Sequence, residues 1–94
     1  MQDKIRLIKS FESKSLSAAQ HFRLNLAEYF ICDQPVRFKL LDSPYWLSID
    51  NLGFLVGTAP SVKCDCQFIV TVAAFNKDAL LTANFFVNLA AEAM

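Results

Sequence analysis

Residues 44–60 read PYWLSIDNLGFLVGTAP, two short apolar runs around a polar turn that contains glycine. Trp46 to Ile49 reads as a short strand. Asp50-Asn51-Leu52-Gly53 reads as a hairpin turn, with Gly53 or Asn51 available for a positive φ. Phe54-Leu55-Val56 reads as the return strand, closed by Gly57-Thr58-Ala59-Pro60. A tryptophan near the start of such a hairpin supplies more buried area than any other side chain, so Trp46 is expected to fill space between two sheets. Gly57 is expected where a Cβ would block close approach, and Thr58 and Pro60 stiffen the exit.

The same period continues on both sides of the hairpin. Phe22, Leu24 and Leu26 alternate with Arg23 and Asn25; Val36, Phe38 and Leu40 alternate with Arg37 and Lys39. Both patterns are those of half-buried strands. Asp33-Gln34-Pro35 and Asp42-Ser43-Pro44 are turn clusters. Downstream, Cys66 to Phe75 places Phe68, Val70, Val72 and Ala74 on one face, and Leu80 to Leu89 places Phe85, Val87 and Leu89 on one face. Asn76-Lys77-Asp78 turns between them. The last run also holds good helix formers, but its aromatic and β-branched content and its paired partner favour a strand. About seven short strands at roughly ten-residue spacing predict an all-β, immunoglobulin-like antiparallel sandwich. Residues 1–14 fit an N-terminal edge strand or a linker, and 15–94 the domain proper.

Composition narrows the function classes. The 94 residues are 54% hydrophobic and 19% charged, which excludes a disordered chain. Nine basic residues balance nine acidic ones, so the basic excess of a nucleic-acid binder is absent. No run of 18 apolar residues suggests a membrane span, and no signal-peptide pattern opens the sequence. Cys32, Cys64 and Cys66 are an odd set. Residues two apart in a strand sit near the upper limit for a disulfide, so free thiols are expected, leaning towards a reducing, cytosolic compartment.

The stretch Pro44, Trp46, Leu47, Ile49, Gly53, Leu55, Gly57, Thr58 and Pro60 resembles the motif of dystroglycan-type cadherin-like domains, with Ala59 inserted before Pro60. FIVTVAAFN (68–76) is similar to a later strand of that family and FFVNL (85–89) to its closing strand. The resemblance spans about residues 15–90 and implies a cadherin-like, immunoglobulin-like sandwich. It marks a fold, and no catalytic site comes with it. It also implies one alternative function, a calcium-dependent adhesion repeat of a surface or secreted protein. Against this, Asp33, Asp42, Asp50, Asp65 and Asp78 are scattered singly, whereas calcium needs six to eight oxygens. Another alternative is an intracellular adaptor or bacterial effector domain.

His21 with the three cysteines could on paper hold zinc, but C-x-C lacks the usual C-x2-C spacing. No G-x-S-x-G and no phosphate-cradling glycine loop is present. The sequence therefore predicts a non-enzymatic interaction or spacer module with no cofactor, its partner another protein or a neighbouring domain. Phe75, Leu80, Leu81 and Phe86 are expected opposite the inward-facing set of the last two strands, where they are either covered by residues 1–14 or the C-terminal tail or form an apolar contact face. Tyr29, beside a loop, is expected to contribute an anchor.

Overall fold

The computed structural model describes residues 5–91, and the expectations for 1–4 and 92–94 lie outside these. Strand β1 is Arg6–Leu7, β2 is Lys14–Leu16 and β3 is His21–Asn25. A 3-10 turn, η1, follows at Leu26–Glu28. Then come β4 (Phe30–Ile31), β5 (Arg37–Asp42), β6 (Leu47–Ile49), β7 (Phe54–Thr58), β8 (Cys66–Phe75) and β9 (Leu80–Leu89).

Seven of these strands make two sheets. One has the order β2-β9-β8-β5 and the other β3-β7-β6; β1 and β4 form a separate two-stranded ribbon. All pairings are antiparallel except β2 with β9, which run parallel with Leu16 beside Leu89. Leu16, Phe22, Leu47, Leu55, Val70, Val72, Phe85, Val87 and Leu89 are buried together in one core. These come from both sheets, as the alternation requires of a sandwich. The class is the immunoglobulin-like all-β sandwich.

The hairpin at 50–53 is built as its residues dictate. Asp50 Oδ1 accepts from the backbone N–H of Leu52 at 2.9 Å and of Phe54 at 3.0 Å. Gly53 takes φ 85°, a conformation that favours glycine. A Cβ on Gly57 would run into the Trp46 carbonyl oxygen and lie 2.9 Å from Leu47 Cδ2. Trp46 itself precedes β6 and sits half-buried, edge-on to Phe68 with ring centroids 6.1 Å apart. It therefore closes the margin of the core, while Leu47, Leu55 and Val70 occupy its centre.

Within residues 5–11, Ile5 and Phe11 pack onto the sandwich. Ile5 is buried. Phe11 lies parallel to Tyr29 at 4.1 Å between centroids and parallel to Phe85 at 5.2 Å. Three aromatic rings from distant parts of the sequence thus form one stack.

Candidate interaction surface

The outer face of the four-stranded sheet is read in rows from its register. Ser15, Asn88 and Gln67 form the first row, with Gln67 Nε2 donating to Asn88 Oδ1 at 3.0 Å. Phe86 and Ile69 form the second, Asn84, Thr71 and Asp42 the third, Thr82, Ala73 and Lys39 the fourth. Leu80, Phe75 and Arg37 form the fifth. Phe86 is 43% and Ile69 40% exposed, and Leu80 is 63% exposed. Phe75 is half-buried beneath the Lys39 ammonium, 5.4 Å from its ring centroid.

The apolar residues of this face therefore form two islands, Phe86–Ile69 and Leu80–Phe75, separated by two rows of polar, charged or small residues. Two of the expected contact residues belong elsewhere. Leu81 lies on the inward side of β9 with Ala83, Phe85, Val87 and Leu89, and packs against the core. Counting by twos from Phe85 requires this. Tyr29, the expected loop anchor, is 4% exposed and stacked on Phe11. The 3-10 turn η1 breaks the alternation after β3 and swings Tyr29 inward. Ile69 was not singled out in the sequence, although alternation with Phe68 and Val70 places it outward.

A second feature lies between the sheets. The edge strand β5 and the edge strand β6 flank an open groove of about 430 Å3. Val36, Arg37, Phe38, Ile49 and Leu52 line it. Leu52, at the hairpin tip, is 74% exposed.

The thiols do not converge. Cys32 Sγ accepts from Asn76 Nδ2 at 3.5 Å, and Cys66 Sγ donates to the Cys64 carbonyl at 3.2 Å. Desolvation pushes the Cys66 thiol up from its ordinary pKa of 9.0, and Cys64 and Asp65 push the same way. His21 Nδ1 meets Thr58 Oγ1 at 2.9 Å on β3 and β7. Among the described residues, no three of His, Cys, Asp and Glu come together to hold a metal ion.

No family model and no curated protein matches the sequence. Solved structures do match its shape. One is a Bacteroides fragilis protein named as an alpha-galactosidase, with a TM-score of 0.72 at 16% identity over 90% of this chain. This chain spans 17% of that protein. Another is domain M7 of titin, with a TM-score of 0.64 at 11% identity, covering 97% of this chain and 98% of that domain. At these identities the likeness concerns the fold, and the whole-length match to a titin domain agrees with the immunoglobulin-like assignment.

Proposed function

We propose that this sandwich is a non-enzymatic protein-interaction or spacer module, of the dystroglycan-type cadherin-like kind and part of a larger protein. The observation that carries this is the Phe86–Ile69 island. Two large apolar side chains stand side by side on a sheet face whose other rows are mainly polar, with no element of the described chain over them. The partner is another protein or a neighbouring domain, met without cofactor, nucleic acid or membrane insertion. The likeness to a titin domain supports a generic module of this type. The likeness to a segment of a protein named as an alpha-galactosidase supports a second setting, an accessory domain within a larger enzyme chain.

The test is affinity capture from cell extract with the wild type and Phe86→Glu side by side. A partner retained by the wild type and lost by a variant of equal melting temperature supports the contact face. Equal retention by both places the contact elsewhere, and no enriched partner favours a spacer. The adhesion-repeat alternative predicts a calcium-induced rise in melting temperature; an unchanged melt removes it for this domain.

A further inference from the structure

We infer that Cys64 and Cys66 form a thiol–disulfide exchange site, at which a small disulfide oxidises the pair to an intramolecular Cys64–Cys66 bridge. The inference stands apart from the interaction-module reading. Two cysteines in alternate positions of one strand sit near the upper limit for a bridge, but Cys64 is not in a strand. It lies on a bend, and β8 begins only at Cys66. The Cys66 side chain is folded back along the chain, with its Sγ 3.2 Å from the Cys64 carbonyl oxygen. That carbonyl carbon and the Cys64 side chain share one Cα, so the Cys66 sulfur already points at the residue it would join. Cys32 stands apart, against Asn76.

The two thiols differ in role. Cys64 is exposed, whereas Cys66 is half-buried. Desolvation, then the neighbouring Cys64 and Asp65, keeps the Cys66 proton on to higher pH, so Cys64 supplies the first thiolate. An open groove of about 480 Å3 beside Cys66 gives a small disulfide room to approach. Asp65 is the one charged residue of its lining, which favours a neutral disulfide over an anionic one. In the first step the Cys64 thiolate attacks one sulfur of the disulfide RSSR. A Cys64–SR bond forms, the S–S bond of RSSR breaks, and RS− leaves and takes a proton from water. In the second step the Cys66 thiol gives its proton to water and its sulfur attacks Cys64 Sγ, expelling the other RS−. The dithiol is oxidised to the bridge and RSSR is reduced to a pair of RSH molecules.

The experiment treats the full chain with bis(hydroxyethyl) disulfide at mildly alkaline pH and maps the products by peptide mass spectrometry without reduction. The folded wild type should show the Cys64–Cys66 bridge, with Cys32 still a thiol. Cys66→Ser should stop at a mixed disulfide on Cys64. In Cys64→Ser, Cys66 should react at least about tenfold more slowly than Cys64 does in the wild type. The equilibrium constant for bridging should be at least about tenfold larger in the folded chain than in urea, because the fold holds the Cys66 sulfur towards Cys64. A wild type that stops at the mixed disulfide overturns the inference, as does a bridge that takes in Cys32 or a second chain. Equal bridging in the folded chain and in urea overturns it too, since the fold would then contribute nothing to the site.

Discussion

Trp46 and Gly57 share one small space. The Trp46 carbonyl lies where a Gly57 side chain would begin, and the Trp46 indole Nε1 is buried without a hydrogen-bond partner. Gly57→Ala must push β6 and β7 apart, since a backbone oxygen cannot rotate away, and should cost about 2–3 kcal/mol in chemical denaturation. Trp46→Ala should cost about 3 kcal/mol by removing a large packed ring. Trp46→Phe keeps most of that packing and removes the orphaned donor, so its cost should stay below about 1 kcal/mol. An equal loss for both Trp46 variants would mean that the indole nitrogen is satisfied in solution. The thiols differ at the same scale. Cys64 is exposed, whereas Cys66 is half-buried with its pKa raised. Alkylation at mildly alkaline pH, followed by mass spectrometry, should therefore label Cys64 before Cys66. The folded state favours the protonated Cys66 thiol. Its contribution to stability is thus complete below the ordinary pKa of 9.0 and lost as pH rises through the raised value.

Among the elements, the turn between β2 and β3 carries the one described non-glycine residue at positive φ, Ala19 at 63°. The turn is held by Gln20 N–H to the Ser17 carbonyl at 3.1 Å, and by Ala19 N–H to the Ala59 carbonyl at 2.8 Å. A left-handed alanine costs about 1–2 kcal/mol. Ala19→Gly should recover about 0.5–1 kcal/mol after the extra entropy of glycine in the unfolded chain, read as a higher denaturation midpoint. A lower midpoint would mean that the turn relaxes out of this conformation. Alternation made the long elements legible: Phe68 to Ala74 and Phe85 to Leu89 announce β8 and β9 at full strength. It failed where strands are too short to show a period, as in the two-residue β1 and β4. It also failed at Leu80-Leu81, an apolar doublet whose members face opposite ways. The two islands on the outer face needed the register, because Ile69 meets Phe86 only once β8 and β9 are aligned. The groove needed more still. Arg37 and Leu52 are fifteen positions apart in the sequence, and the groove exists only where two sheet edges come to lie near each other.

Across the whole molecule, the aromatic stack decides where the domain begins. Division at residue 14 treats the first segment as an edge strand or linker. Physically, the segment contributes Ile5 to the core and Phe11 to a stack whose other members come from the loop after β3 and from β9. Its ribbon strand β1 also pairs with β4, and the Ile8 N–H donates to the Tyr29 carbonyl at 2.8 Å. A segment held only at its end would fray without consequence. One that covers Tyr29 and Phe85 shields the rings that close the end of the sandwich. Phe11→Ala should therefore cost about 2–4 kcal/mol, somewhat under the ~3–5 kcal/mol of a fully buried ring because Phe11 is half-buried. Deleting residues 1–13 should cost at least as much, because Ile5, β1 and Phe11 are lost together. Urea denaturation of the two variants beside the full chain measures both. The deletion should also raise binding of an apolar fluorescent dye, since Tyr29 and Phe85 would be left facing water. A deletion that melts like the full chain and binds no more dye would show that the stack forms without being needed, and would move the boundary of the folding unit to residue 14.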